Sequence, residues 1–209
     1  MDEYTSPEFS RSALLTIDLQ RDFVSDIAGT AEVLPSVREL TRTFREAGRP
    51  IVHIVRLYLP DGSNADLCRR NLRGKVNPHS PGSQLAEGIA AESALDPDLL
   101  LTGCAQQIGP DEHILYKPRW SAFFRTRLLE HLAERAVSTV VVAGCNYPNC
   151  PRSTMVDATE RDLRTVAVRD AISGWTTDAD REMPGMGIAC LDTEEVVSAI
   201  RSSHSQRRQ

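Results

Sequence analysis

The chain has 209 residues, 41% of them hydrophobic and 25% charged, with a net charge of −5 and a pI near 5.6. That length and composition suit a folded domain with a full core, and a net negative chain lacks the basic face that nucleic-acid binding needs. The longest apolar runs, such as residues 140–143, are far too short to cross a bilayer, and the polar first dozen residues hold no leader-like apolar stretch. A cytoplasmic protein with no membrane partner is expected.

Cysteines stand at 68, 104, 145, 150 and 190, with no CxxC and no repeating pair. An odd number at scattered positions reads as reduced thiols rather than a disulfide framework.

Along the chain, apolar β-rich runs alternate with stretches of helical period, the pattern of a parallel sheet covered on both faces. Residues 12–18 (SALLTID) form a first strand that ends on an acid. Residues 36–47 form a helix stopped by Gly48, and 51–57 a second strand. Residues 58–110 are irregular, with short helical possibilities at 64–73, and are too long for an idle loop. A site, lid or interface is expected there.

A third strand at 113–116 ends at Lys117, a helix covers 125–136, and a buried fourth strand runs over 138–143. A helix entered at Pro151, a fifth strand at 165–169, a sixth at 187–191 and a last helix at 193–201 complete the elements. No repeat, heptad run or linker interrupts them. One domain over 1–209 is expected, with 1–11 and 202–209 flexible.

The most informative stretch is Gly144-Cys145-Asn146-Tyr147-Pro148-Asn149-Cys150-Pro151, a tight loop between a buried strand and a helix. Proline suits the first turn of a helix, so Cys150 stands at the helix entrance, where unpaired N–H groups and the positive dipole end favour an anion. That location is expected to lower the thiol pKa and make a nucleophile. The plainer alternative is a packing cysteine. Ligand crevices of parallel sheets lie at the carboxyl ends of strands, and Asp18, Lys117 and Cys150 each stand at such an end.

The blocks Thr16-Ile-Asp18-Leu-Gln20-Arg-Asp22-Phe23, Tyr116-Lys117-Pro-Arg-Trp-Ser121-Ala-Phe123, and Val142-Ala-Gly144 through Cys150 to Asp157-Ala158 resemble the isochorismatase-like cysteine hydrolases. The resemblance spans roughly 12–172. It implies a three-layer α/β/α sandwich around a mostly parallel six-stranded sheet of order 3-2-1-4-5-6, and a homo-oligomer. It also implies that Asp18 is the general base, that Lys117 stabilises the thiolate and that Cys150 is the nucleophile of an acyl-enzyme. A cis peptide before Asn146 is implied as well, with the backbone N–H groups of Asn146 and Cys150 forming an oxyanion hole.

Asn146, Tyr147, Pro148 and Asn149 depart from the family's usual residues and bear on the substrate. Where nicotinamidases carry an Asp-x-His metal pair, this chain has Arg56-Leu-Tyr58-Leu-Pro-Asp61, so neither a metal nor a cofactor is expected. Retention of Cys150 points to the branch that cleaves amide, urea or carbamoyl bonds of small molecules. Arg56 at the end of the second strand, and Arg119 and Arg152 beside the catalytic positions, are candidate carboxylate forks, the plainer alternative for each being a surface ion pair. Gln20, Phe23, Trp120, Tyr147 and Asn149 are candidate substrate contacts. His53 and His113 read as structural, and Asp22 and Asp157 as caps or ion-pair partners. Two other readings stay open: an idle interaction or oligomerisation module, and a redox thiol pair of Cys145 and Cys150.

Overall fold

Four strands, β1 (Ser12–Ile17), β2 (Ile51–Val55), β4 (Glu112–Tyr116) and β5 (Thr139–Gly144), form the middle of the sheet in the computed structural model of the protein. The structure describes residues 3–70, 74–90 and 94–206, with side chains to 204. Joined by β3 (Gln106–Gly109), β6 (Arg164–Ile172) and β7 (Ile188–Leu191), they make a seven-stranded sheet of order β3-β4-β2-β1-β5-β6-β7.

Leaving out β3, this is the expected order of six parallel strands. The addition is the edge strand β3, which pairs antiparallel with β4. It lies within 58–110, where Gln-Gln-Ile-Gly offers no alternation that distinguishes a strand. The same segment holds the short helix α3 (Pro97–Leu101) and two 3₁₀ turns, Leu67–Arg69 and Pro81–Ser83. The helical turn expected at 64–73 is thus confined to Leu67–Arg69, and residues 71–73 lie outside the described residues.

Helices cover both faces. Alternate strand residues divide the core: Leu14, Ile51, Val141 and Val166 pack beneath α2 (Leu34–Glu46) and α7 (Thr193–Gln206). Leu15, Ile17, Val52, Val140 and Val142 pack beneath α4 (Leu128–Ala133), α5 (Cys150–Thr159) and α6 (Thr177–Glu182). This division is the period of two built into a strand, used here on both faces. α1 (Arg21–Asp26) follows β1 directly.

One terminal expectation changes. The last helix does not end at residue 201 but runs to Gln206, with Val196, Val197 and Ile200 packed in the core; 207–209 lie outside the described residues. The segment before β1 is tied to the sheet, for Glu8 N–H donates to Thr139 Oγ1 at 2.9 Å and Glu8 accepts from Ser138 Oγ at 2.8 Å. Among the described residues, no helix is long and apolar enough to cross a membrane.

Away from the site, Thr16, His53, Glu112 and Arg45 form one buried polar chain. His53 lies between Thr16 Oγ1 (2.7 Å) and Glu112 Oε1 (2.8 Å), and Arg45 forks onto Glu112 with two 2.7 Å contacts. His113 and His131 stack edge to face, their centroids 4.6 Å apart.

Candidate active site

Strand register brings the candidate residues to one level. Ile17 pairs with Ile54 on one side and with Gly144 on the other, and Val55 pairs with Tyr116. Asp18, Arg56, Lys117 and Cys145 are each the next residue after those pairs, at the carboxyl edge of the sheet. Asp18 N–H still bonds Ile54 O at 2.9 Å, while its φ of 53° turns the chain out of the strand. Aspartate is among the few residues that tolerate this left-handed region.

Gly144 makes the closure possible. Its φ is +127°, and a Cβ there would lie 2.2 Å from Ile17 O and 2.6 Å from Ile17 N. The chain then passes through the loop 145–149 into α5, whose first residue is Cys150. The expected cis bond before Asn146 is not found; the cis bond in this loop is Tyr147–Pro148, where a tertiary amide makes the cis form inexpensive.

Lys117 Nζ lies 2.8 Å from Asp18 Oδ2, with Lys117 fully buried and Asp18 4% exposed. Two charges taken out of water cost several kcal/mol each unless paired, so each holds the other in place. Asp18 Oδ1 is also buried but has no hydrogen-bond partner among the described residues. Cys150, 7% exposed, shares a cavity with it. The N–H groups of Asn146, in the loop, and of Cys150, in the first turn of α5, have no backbone acceptor among the described residues; for Cys150 this is what the start of a helix leaves.

The thiol departs from the expectation of a lowered pKa. Burial first, then the Asp18 carboxylate, push the Cys150 thiol up, against the pull of Lys117 and Arg56. Helix entrance alone had pointed downward; it took no account of desolvation or of a carboxylate next to the sulfur. Cys145 is a weaker rival still, its thiol pushed up to about 12, chiefly by burial.

The cavity is narrow, with about 20 Å³ open to water, and is lined by Asp18, Phe23, Arg56, Tyr58, Arg69 and Asn146, together with Cys145, Cys150 and Ile27. Of the residues singled out in the sequence, Asp18, Phe23, Arg56, Asn146 and Cys150 meet here, with Lys117 behind Asp18. Arg119 and Trp120 instead line a neighbouring open cleft of about 560 Å³ beside α5, with Phe124, Arg152 and Val156.

Gln20 and Tyr147 do not line either space. The Gln20 amide is spent on the backbone: Nε2 donates to Arg56 O and Ser83 O, both at 2.8 Å, and Oε1 accepts from Arg56 N–H at 2.8 Å. Tyr147 is buried against Trp175, ring centroids 5.0 Å apart. Asn149 caps α5 by position and donates from Nδ2 to Asn146 Oδ1 at 3.2 Å. Ser121 donates to Asp157 Oδ2 at 2.5 Å, and Asp157 also pairs with Arg161, so this acid is a local brace.

Tyr58 and Arg69 were not singled out as site residues. Tyr58 stands two residues past Arg56, and its ring lies 5.5 Å from the Arg56 Cζ. Arg69 comes from the irregular segment and carries no local signal. No group of three or more His, Cys, Asp or Glu among the described residues is arranged to hold a metal. The cavity itself offers one carboxylate, already held by Lys117, beside two arginines, a set that does not fit a cation.

The isochorismatase domain pattern matches residues 12–186. The chain is 29% identical over 178 residues to a probable inactive nicotinamidase from Arabidopsis thaliana, covering 80% of this chain and 83% of that one. It is 28% identical over 181 residues to a maleamate amidohydrolase from Pseudomonas putida, covering 80% and 75%. Among solved structures, an isochorismatase family protein from Desulfovibrio vulgaris superposes with a TM-score of 0.76 at 31% identity, covering 91% of this chain and 98% of that one. The sheet, the strand-end constellation and these matches agree: the chain belongs to the isochorismatase family of hydrolases.

Proposed function

We propose that the protein hydrolyses an amide, urea or carbamoyl C–N bond of a small molecule through an acyl-enzyme on Cys150. One observation carries the reading. Asp18 has one oxygen fixed by Lys117 and the other buried and unpartnered, in the cavity that holds the Cys150 thiol.

A raised thiol pKa means the sulfur rests protonated, so proton removal accompanies attack. Asp18 Oδ1 takes the thiol proton as Sγ attacks the carbonyl carbon. The oxyanion forms against the N–H groups of Asn146 and Cys150, where aligned donors act strongly in a dry site. Asp18 returns the proton to the leaving nitrogen as the C–N bond breaks, freeing an amine or ammonia. Water then attacks the thioester carbon, giving its proton to Asp18; collapse expels the thiolate, which recovers that proton. Lys117 keeps Asp18 oriented and balances the negative charge shared between carboxylate and sulfur throughout.

This reading treats the chain as one catalytic domain of a homo-oligomer in a reducing compartment. Five free thiols support the compartment, and the exposed Trp120 and Phe124 offer a surface for association. The test is ammonia release from a panel of small amides, ureas and carbamoyl compounds, with Cys150→Ala as control. Turnover lost by at least about a thousandfold in Cys150→Ala, with an acyl adduct on Cys150 by intact mass, supports it. Equal rates in both proteins, or no turnover at all, would leave an idle module as the better description.

A further inference from the structure

The amino edge of the sheet, opposite Asp18 and Cys150, holds a second concavity. About 300 Å³ of it is open to water, and its lining comes from the approaches to four strands. Ser10 and Arg11 lead into β1, Gly48 to Pro50 into β2, Asp111 into β4, and Arg135 to Val137 into β5. Backbone bonds hold these approaches together. Ser138 N–H donates to Arg11 O, Leu14 N–H to Pro50 O and Ile51 N–H to Asp111 O, each at 2.9 Å. The wall is thus braced by the sheet itself.

Three guanidinium groups, of Arg11, Arg49 and Arg135, meet one carboxylate, of Asp111, in that lining. In a chain of net charge −5, such a local excess of positive charge does not follow from composition. Arg49 is 5% exposed, so solvent screens its charge poorly. The acids beside the other two stand outside the lining and at loose range: Glu8 is 3.6 Å from Arg11 Nη1, and Glu134 is 3.8 Å from Arg135 Nη1. Carbonyls take part of each fork. Arg11 Nε donates to Ala136 O at 2.9 Å and Arg135 Nη1 to His131 O at 3.1 Å, while Arg135 Nε is buried with no hydrogen-bond partner among the described residues. A guanidinium carries more N–H donors than these contacts use. Tying down carbonyls therefore accounts for one edge of Arg11 and of Arg135, but not for the convergence of three cations.

We propose that this concavity binds the phosphoryl group of a small phosphate monoester, with Arg11, Arg49 and Arg135 as its anchors. A phosphate dianion matches the excess positive charge of the lining, and planar guanidinium forks engage its oxygens in pairs. The open space is several times the share of a liquid water molecule, about 30 Å³, so a phosphate group leaves room for a short organic substituent. Asp111, exposed in the lining, sets the upper limit of charge, since a polyphosphate would bring more negative charge beside it than the arginines balance. Bound there, the ester joins the approaches of four strands and stabilises the native chain by mass action. No step of the proposed hydrolysis involves this edge of the sheet, so the two proposals stand or fall separately.

The test is calorimetric titration of the full chain with glycerol 3-phosphate, with inorganic phosphate and with neutral glycerol, at an ionic strength fixed by sodium chloride. The ester is expected to bind at one site per chain with a Kd at or below about 1 mM, inorganic phosphate to compete there more weakly, and glycerol not to bind. Arg11→Gln and Arg135→Gln should each weaken the ester at least about fivefold, and Arg181→Gln, an exposed arginine on α6 outside the lining, should leave it unchanged. Asp111→Asn should strengthen it at least about twofold by removing the opposing charge. Arg49 is left in place because it is buried, and melts of each variant without ligand separate loss of the site from loss of the fold. The proposal is overturned by no binding of the ester, by an equal loss in Arg181→Gln, or by weaker binding in Asp111→Asn. Ester binding that both Arg11→Gln and Arg135→Gln leave intact places the phosphate elsewhere and overturns it too. Inorganic phosphate binding more tightly than the ester defeats the monoester assignment.

Discussion

Gly144 and Ile17 approach so closely that a single methyl group between them is excluded: a Cβ on Gly144 would lie 2.2 Å from the Ile17 carbonyl oxygen. That oxygen already accepts the Cys145 N–H at 2.8 Å, so the ends of β1 and β5 are stitched together one residue before Asp18. Replacing Gly144 by alanine should cost about 3 kcal/mol or more, from the contact with backbone that cannot move aside and the φ of +127°. Urea unfolding of Gly144→Ala measures the loss; a change under about 1 kcal/mol would show that the strand ends can part.

The neighbours of Cys150 should move its titration in opposite directions. The Asp18 carboxylate pushes the thiol up and Lys117 draws it down. Asp18→Asn should therefore lower the apparent pKa for alkylation of Cys150, and Lys117→Met should raise it. Catalysis should fall at least about a thousandfold in both, since a more acidic thiol without Asp18 has no base to accept its proton. Rates of alkylation mapped to Cys150 across pH decide the point, and shifts of the same sign in both variants contradict the arrangement.

Lys117→Met should also destabilise the fold, because it leaves the buried Asp18 carboxylate uncompensated. Breaking a buried pair in this way typically costs about 3–5 kcal/mol at neutral pH. Lys117→Met combined with Asp18→Asn should recover part of it, and a chemical denaturation cycle on the four proteins reads the coupling.

Acid stability should depend on Glu112. Burial opposes its charge, but hydrogen bonds from Arg45 and His53 overcome this and hold its pKa down to about 2, below the ordinary 4.5. A depressed carboxylate contributes fully above pH 4.5 and loses its contribution as the pH falls toward 2. Allowing for the partly exposed Arg45, about 2–3 kcal/mol is at stake. Glu112→Gln should be less stable at neutral pH and should flatten the decline below pH 4.5; an unchanged slope would assign the acid lability elsewhere.

His131 should add a separate step at milder pH. Burial, then Arg135 and His113, lower its pKa to about 4, and its Nε2 is buried without a partner among the described residues. The unfolded chain takes up the proton near 6.5 while the folded chain resists until about 4, so stability should fall across that window. His131→Phe keeps an aromatic edge against His113 and should remove the step, seen in thermal melts recorded from pH 7 to pH 4.

Much of this architecture was legible in the chain because its signals are local. The apolar runs of β1, β2 and β5 are continuous enough to announce strands buried on both faces, and the Gly144-to-Cys150 loop followed by proline announces a helix entrance. The order of the sheet, and the roles proposed for Asp18, Lys117 and Cys150, rest on resemblance across three separated blocks. Periodicity supplied none of these. β3 and the extension of α7 to Gln206 escaped because Gln106–Gly109 carries no alternation, and the polar residues 202–206 carry no apolar stripe of their own.

Tertiary structure alone decided the environment of each group. Gln20 looks like a pocket residue in sequence, yet its amide is consumed in bracing Arg56 and Ser83, because hydrogen bonds between distant segments leave no trace in spacing. The thiol of Cys150 looks activated by its helix, yet desolvation and Asp18 push it the other way, since both act through space from residues far along the chain. Arg69 reaches the cavity from a short 3₁₀ turn whose sequence does not mark it as a site residue. The sequence determined which chemical groups the protein carries to the sheet edge; packing decided which of them are charged, which are spent, and which are left facing a ligand.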